Sequence, residues 1–208
     1  NVYLQSAEYI KSMEMAKNIL NSKKKLDIVS YLCKSSILIG QIYKKELKIK
    51  EAIEQFEIAA SSYRSLKNLP GELEALIELS KIFVLSGELE KSGENLEKAL
   101  SICKTEPINF LKLSNIYYLI GKLNFLKFNS LKKDIYFKNS KDCFQKSFDI
   151  CQKNNYKIEQ GYIFLEIAEI YFYEDNLDSA LKYYENSLKI HKKMNNLQGI
   201  ALSLNGIG

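Results

Sequence analysis

The sequence contains 208 residues, of which 46% are hydrophobic and 26% are charged, and its net charge is +5. This composition is typical of a globular protein, and no apolar run approaches the roughly 18 residues of a membrane-spanning helix. Charged residues interrupt the N-terminal segment at Glu8, Lys11, Glu14 and Lys17. We therefore expect no secretory signal, no membrane span and a cytoplasmic location.

The basic residues are almost all lysines, and Arg64 is the single arginine. Lysines spread over helix exteriors are usually a solvated face, whereas a nucleic-acid surface more often uses clustered arginines, so nucleic acid is not favoured as a partner. The cysteines form no CxxC pair and are expected to be small buried thiols in a reducing compartment. A metal site needs denser ligand spacing, so we expect no metal and no other cofactor. These cysteines are Cys33, Cys103, Cys143 and Cys151.

Amphipathic helices follow one another along the chain and are separated by short polar turns. Residues 3–21 predict a lone helix. The next predicted helices cover residues 27–44, 51–66, 71–86 and 88–104. Leu69-Pro70-Gly71 marks one boundary, because proline suits the first turn of a helix and glycine suits the end of the preceding one.

An irregular hairpin is predicted over residues 107–154, in which the segment 122–139 keeps helical character on both sides of Asn129-Ser130. The added length, divided over two helices, would extend each by about two turns, or roughly 10 Å. Its aromatic side chains lie among lysines, which admits a nucleic-acid or membrane-surface role. The alternatives are that the aromatics pack the two extended helices together, or that the overhang contacts a partner protein.

The clearest pattern lies in residues 161–187, where large and small side chains alternate over two helices that flank Glu174-Asp175-Asn176. Two closely packed antiparallel helices need a small side chain where the backbones approach and a large one opposite. With Gly161 as position 1, the same register begins again four times, at Cys33, Leu73, Pro107 and Ala201. The steps between successive starts are 40, 34, 54 and 40 residues, so the sequence predicts a repeat of helical hairpins.

This pattern resembles the tetratricopeptide repeat (TPR), whose first helix carries large and small residues at fixed spacing before a tyrosine, and whose second helix carries Ala-x3-Phe/Tyr-x2-Ala/Ser. The matching residues are Phe164, Ile167, Ala168, Tyr171, Ala180, Tyr184 and Ser187. The forty-residue version is similar to the subclass found in LGN-type scaffolds and kinesin light chains. The resemblance covers roughly residues 26–208 and implies an all-α fold, a right-handed α-solenoid of helix-turn-helix repeats.

The resemblance also implies how the chain is divided within a single domain over residues 1–208. Complete repeats are expected at 26–70, 71–106, 107–156 and 157–196, the third with an extended hairpin. Residues 1–25 would be the second helix of a truncated repeat and residues 197–208 the first helix of another. Terminal repeats normally carry a polar cap, whereas Leu202, Leu204 and Ile207 are apolar. We therefore expect a fragment of a longer array, or self-association through this uncapped C-terminal end.

In the TPR family the first helices line a concave face, chiefly through positions 2, 5, 9, 12 and 13, and a peptide or helix of a partner lies there. Carried onto this sequence, the polar and aromatic groove residues are Lys34, Gln41, Lys44, Lys45, Glu74, Lys81, Asn115, Tyr118, Tyr162, Glu169, Tyr173 and Asn205. The apolar ones are Ile37, Ile77, Val84, Leu85, Ile108, Leu111, Leu119, Leu165, Phe172 and Leu202.

The early groove residues are mainly basic and the later ones mainly aromatic, which predicts a ligand with an acidic part and an apolar part. Asn115 could bind a peptide backbone through both its donor and its acceptor. The alternative is that several of the aromatic side chains, Phe172 among them, pack between neighbouring first helices instead of meeting a ligand.

Residues for catalysis are scarce. The single histidine, His191, is interpreted as an exposed or helix-end residue, and one histidine makes a His-based triad improbable. The sequence contains no phosphate-binding loop motif. We therefore expect that the protein is not an enzyme. We expect it to be a non-catalytic protein-protein interaction scaffold. The alternative hypothesis is a peptide-sensing regulatory portion of a larger bacterial signalling protein, such as a transcription regulator, kinase, cyclase or protease.

Overall fold

The computed structural model describes residues 25–105 and 109–208, and α-helices account for most of both ranges, within which there is no strand. The predicted helix at residues 3–21 and the predicted groove residue Ile108 lie outside the described residues. None of the described helices is both long and apolar enough to cross a bilayer. The chain divides into two compact units, Asn1–Glu106 and Pro107–Gly208, and each unit is described by itself.

The first unit contains four described helices, and each packs on its neighbour along the chain. They are α1 (Lys25–Lys45), α2 (Ile49–Ser65), α3 (Leu69–Leu85) and α4 (Leu89–Thr105). Its core forms around Phe56, whose side chain is 0% exposed, together with Cys33, Leu79 and Ile82. The helix α3 is buried on most of its surface because it lies between α2 and α4.

Over residues 109–208 the second unit contains five helices. They are α5 (Phe110–Leu131), α6 (Asp134–Lys153), α7 (Lys157–Tyr173), α8 (Leu177–Lys193) and α9 (Leu197–Ile207). Each helix packs on the next, and in addition α7 touches both α5 and α9. The first helices of the two hairpins, α5 and α7, and the last helix, α9, therefore lie side by side along one face of this unit.

The turns between helices repeat one geometry. Each turn whose residues are all described has a residue with positive φ two positions before the next helix, in the left-handed region that ends helices: Leu47, Lys67, Gly87, Lys132, Asn155, Asp175 and Asn195. Four helices begin after an asparagine whose side chain accepts a hydrogen bond from the N–H three residues later: Asn68, Asn109, Asn176 and Asn196. The same backbone conformation therefore recurs at the end of the helix that precedes each of these turns.

Large rings of the second helices pack against small residues of the first helices, as the pattern predicted. The register of α5, however, differs from the predicted one. A Cβ at Gly40 would lie 2.6 Å from the ring of Phe56, and a Cβ at Gly121 would lie 2.7 Å from that of Phe144. Gly121, and not Ser114, is therefore the equivalent of Gly40. The third register begins at Ser114, seven residues after Pro107.

The buried serine hydroxyls give the same register independently. Ser92 donates to the carbonyl oxygen of Ser80 at 3.0 Å, and Ser140 donates to that of Gly121 at 2.9 Å. With a start at Ser114, the steps between repeats become 40, 41, 47 and 40 residues. Seven residues are close to two full α-helical turns, so the incorrect register still placed the predicted side chains on the correct face of α5.

The extended hairpin is shorter than predicted. The helices α5 and α6 have 22 and 20 residues, whereas α7 and α8 have 17 each, so α5 gains about one and a half turns, roughly 7 Å, and α6 less than one. The rings of Phe125, Phe128, Phe137 and Tyr173 form one cluster with centroid separations from 4.8 to 6.4 Å. The aromatic side chains therefore pack the extended helices together and against the end of α7.

His191 was interpreted as an exposed or helix-end residue. The structure confirms its place at the helix end, but the prediction of an exposed side chain was wrong. His191 does lie in the last turn of α8, but its side chain is 0% exposed and neither ring nitrogen has a hydrogen-bond partner. The ring lies between the backbones of Gly161 and Gly199, and 4.7 Å from the ring centroid of Tyr162. It fits only because both helices that approach it carry glycine at that point.

A pH dependence of stability follows from this burial. Burial lowers the pKa of His191 below its ordinary value, so the unfolded chain binds a proton that the folded chain does not bind. The stability from the neutral ring is present above the unfolded pKa of about 6.5, and it is lost as the pH falls from there toward the folded pKa. We expect the melting temperature to drop over this range, and to drop less in His191→Leu. Equal pH profiles of the two proteins would contradict this prediction.

Candidate peptide-binding grooves

The predicted basic groove of the first unit lies on α1 and α3. Lys34, Lys45 and Glu74 are exposed, whereas Gln41, Lys44 and Lys81 are half-buried. Sequence reasoning missed Glu78, which lies among these lysines and is 8% exposed. Its carboxylate accepts from the Nζ of Lys44 at 2.6 Å and from the Nζ of Lys81 at 2.7 Å.

Glu78 changes the electrostatics of this face. Burial opposes ionisation of its carboxyl, but Lys81 and Lys44 together hold its pKa below the ordinary value, so the carboxylate is charged at neutral pH. Two of the predicted groove lysines are therefore already paired within the protein. The spacing of Glu78 and Lys81, three residues apart on a helix, is the signal from which this pair could have been predicted.

The second unit contains a cleft between α5 and α7, which we call the small cleft, with a volume of about 370 Å³. The predicted groove residues Asn115, Tyr118 and Tyr162 line it, as does Leu111. Its other lining residues are Lys112, Ser114, Ser147, Glu159 and Ile163. The sequence prediction therefore identified the aromatic and amide part of this cleft and missed its charged rim.

A second cleft of about 520 Å³, which we call the large cleft, is lined by α5, α7 and α9. The predicted groove residues that line it are Tyr118, Tyr162, Leu165, Glu169, Leu202 and Asn205. The residues missed are Lys122, Phe125, Leu126, Asn129, Glu166, Tyr184, Gln198 and Gly206. Lys122, Phe125 and Leu126 are positions 9, 12 and 13 when α5 is counted from Ser114, so the register error alone concealed them.

Hydrogen bonds hold the charged floor of the large cleft in place. The Oε1 atom of Glu166 accepts from the hydroxyl of Tyr118 and from the Nζ of Lys122, both at 2.7 Å. Glu169 accepts from the hydroxyl of Tyr184 at 2.7 Å. Burial, and next the neighbouring glutamate, raise the pKa of Tyr118 and of Tyr184, so both tyrosines stay protonated as donors.

Two predicted aromatic groove residues line neither cleft. Tyr173 joins the aromatic cluster of the extended hairpin, with its ring centroid 5.0 Å from that of Phe128. Phe172 is 59% exposed, so the alternative that its side chain packs between neighbouring first helices was wrong. Tyr162 lines both clefts, and its hydroxyl accepts from the side-chain amide of Asn196 at 3.1 Å, which ties α7 to the start of α9.

Comparison with known proteins supports the repeat fold. No family model matches the sequence, and no curated protein matches it. The crystal structure of BtubC from P. vanneervenii aligns with 100% of this chain and 82% of its own, with 15% identity and a TM-score of 0.75. Repeats of a kinesin light chain candidate from Podosopora anserina align with 90% of this chain and 96% of theirs, with 13% identity and a TM-score of 0.57.

A longer protein also shares the fold. Aspartyl phosphate phosphatase F from Bacillus subtilis aligns with 90% of this chain, with 14% identity and a TM-score of 0.72, but this chain spans only 46% of its length. At such low identities the likeness establishes the fold alone. The described helices are thus TPR-like helical repeats, as the register predicted, and the first helices of the second unit meet in two adjoining clefts.

Proposed function

We propose that this chain of TPR-like repeats is a non-catalytic protein-interaction scaffold that holds a peptide or a helix of a partner against the first helices of its second unit. The observation that carries the proposal is the pair of clefts, about 370 and 520 Å³, which share Tyr118 and Tyr162 as lining residues. Proteins of this fold place their first helices where a partner segment can reach them.

The chemistry of the cleft walls suits a peptide. Apolar and aromatic side chains such as Leu111, Phe125 and Leu165 offer surface for apolar side chains of a guest. The amides of Asn115, Gln198 and Asn205 can each donate to and accept from a peptide backbone. An extended segment or a short helix can use both kinds of contact at once.

The first unit, taken by itself, has a basic face that would suit the predicted acidic part of a ligand. Lys34 and Lys45 are exposed on α1, and neither forms an ion pair among the described residues. Lys44 and Lys81 share the single carboxylate of Glu78, so the group of three keeps one positive charge. This face therefore favours a carboxylate-bearing segment, with a salt dependence typical of exposed charges.

An alanine at Asn115 tests the proposal. A peptide selected from a random displayed library for binding to the chain would be measured by fluorescence polarisation. Asn115→Ala should weaken its binding by about tenfold, because the amide is proposed to pair with the peptide backbone, and should leave the melting temperature nearly unchanged. The control is Asn186→Ala on α8, which lines neither cleft. Equal losses in both variants, or unfolding of Asn115→Ala, would contradict the groove assignment.

A second candidate function is the peptide-sensing portion of a larger bacterial signalling protein. The observation in its favour is that the chain aligns with 46% of a longer bacterial phosphatase of the same fold. A catalytic or DNA-binding domain in the full-length protein would support this candidate.

The buried thiols of Cys33, Cys103 and Cys151 agree with a cytoplasmic location, which is part of the proposal.

Self-association stays a prediction. The exposed apolar side chains of α9 that motivate it are Leu202 at 45%, Leu204 at 50% and Ile207 at 38% exposure.

A further inference from the structure

We propose that the large cleft selects a cationic side chain, arginine or lysine, of the guest peptide, and that Glu169 is its counter-ion. This inference rests on the proposed peptide-binding function and adds the class of residue that the second unit recognises. It differs from the acidic part of the ligand, which is proposed for the first unit.

An ion pair joins α5 and α7 in the large cleft. Lys122 occupies position 9 of the first helix α5 and Glu166 occupies position 6 of the next first helix, α7. The two side chains meet at 2.7 Å, and the carboxylate of Glu166 is 15% exposed. At this step of the repeat, the protein supplies both the cation and the anion.

The equivalent pair of positions between α7 and α9 differs. Position 9 carries a negative charge instead of a positive one, and position 6 carries no side chain. Position 9 of α7 is Glu169, and position 6 of α9 is Gly206. Glu169 accepts a hydrogen bond from Tyr184, but no lysine, arginine or histidine of the described residues forms an ion pair with it. Its side chain is exposed in the cleft. Within residues 25–105 and 109–208, the protein thus supplies an anion here without a cation.

Gly206 places no charged side chain beside this carboxylate, because the ring of Tyr184 occupies its side-chain position. The ring of Tyr184 lies against the Gly206 backbone, where an added Cβ would come within 2.3 Å of it, and the hydroxyl of the same tyrosine reaches Glu169. The floor under Glu169 is therefore a fixed ring. Leu202 and Asn205 of α9 line the adjoining wall and offer an apolar surface and an amide.

The charge of the whole cleft agrees with a cationic guest. Its charged lining residues are Lys122, Glu166 and Glu169, which leave one negative charge in excess. Because Lys122 and Glu166 already pair with each other, that excess is located at Glu169. The stem of an arginine or lysine can lie along Leu165 and Leu202 while its charged end reaches the carboxylate.

Fluorescent pools of short peptides test this inference. Each pool has randomised apolar residues around one fixed central residue, which is arginine, lysine, glutamine or glutamate. The chain of residues 1–208 should bind the arginine and lysine pools about tenfold more tightly than the glutamine pool, and the glutamate pool least. The preference should shrink as salt rises.

Variants of Glu169 locate the preference. Glu169→Gln keeps an acceptor for the hydroxyl of Tyr184 and should bind the arginine, lysine and glutamine pools alike. Glu169→Lys should favour the glutamate pool. The matched control is Glu185→Gln, an exposed carboxylate on α8, which should keep the original preference. Melting curves confirm that each variant is folded.

The outcomes separate the two proposals. If the pools bind to the chain without regard to the central residue, the cation site is overturned while the peptide-binding function stands. If Glu169→Gln keeps the preference for arginine, the counter-ion lies elsewhere and the assignment to Glu169 is overturned. If no pool binds, the proposed function fails for this class of ligand and the inference fails with it.

Discussion

Phe56→Ala is expected to lower the free energy of unfolding of the helices around it by about 3–5 kcal/mol, the largest effect of a single truncation in the first unit. The ring is 0% exposed and belongs to the core cluster that joins α1, α2 and α3. It also lies against Gly40, where no side chain could move in to fill the space it leaves. Urea unfolding followed by circular dichroism measures the loss.

Ile58→Ala is the matched control for Phe56→Ala. Ile58 lies on the same helix, but its side chain is 49% exposed, so its truncation should cost less than about 1 kcal/mol. Hydrogen exchange would show where the structure loosens: protection should fall in α1, α2 and α3 for Phe56→Ala only. A loss of similar size in both variants would mean that the ring of Phe56 is not a core residue.

The local rules of the fold could be read from the sequence because each depends on residues close together in the chain. Asparagines at the helix starts, such as Asn176 and Asn196, and the alternation of small and large residues determine where helices begin and which faces meet. These signals predicted the hairpins without knowledge of any long-range contact.

The register of α5 could not be read in this way, because two small residues, Ser114 and Gly121, lie about two helical turns apart on one face. Two long-range contacts of Gly121 distinguish them: its approach to the ring of Phe144 and the hydrogen bond that its carbonyl oxygen accepts from Ser140. The incorrect register changed which cleft residues the sequence could predict. Asn115 and Tyr118 were found because the face was correct, whereas Lys122 was missed because the end of the groove was misplaced.

Charges in the grooves were misjudged for a different reason. Lys44 was counted as a free cation, but its partner Glu78 is 34 residues away in sequence. Likewise Lys122 and Glu166 are 44 residues apart. A repeat brings side chains one unit apart into contact, so the pairing of Glu78 and Glu166, both at position 6, becomes visible only when the registers are compared with each other.

The burial of His191 was missed although the sequence contained a signal for it. A histidine in the last turn of a helix is usually solvated, but His191 continues the buried stripe of Ala180, Tyr184 and Ser187 at helical spacing. The two residues that make room for its ring are Gly161, thirty positions earlier, and Gly199, in the following helix. Neither glycine lies at a turn or has positive φ, so both are explained by close approach and not by backbone conformation.

Gly199→Ala is therefore expected to destabilise the second unit by about 1–3 kcal/mol, although alanine favours a helix over glycine by about 1 kcal/mol. The added Cβ would lie 2.2 Å from Cγ of His191. The ring cannot retreat, because the Gly161 backbone lies beside it, where a Cβ would be 2.6 Å from Nε2. Either the ring or α9 must move, and urea unfolding measures the cost.

A double-mutant cycle with His191→Ala separates this clash from any other role of the glycine. The three atoms nearest to a methyl group at position 199 all belong to this ring, so its removal relieves the clash and leaves the helix preference of alanine. Gly199→Ala should then raise the free energy of unfolding by up to about 1 kcal/mol, so that the effect changes sign between the two backgrounds. If Gly199→Ala destabilised both backgrounds equally, the glycine would be required for a reason unrelated to His191. The two glycines could then no longer be regarded as the features that permit a buried histidine at the junction of α7, α8 and α9.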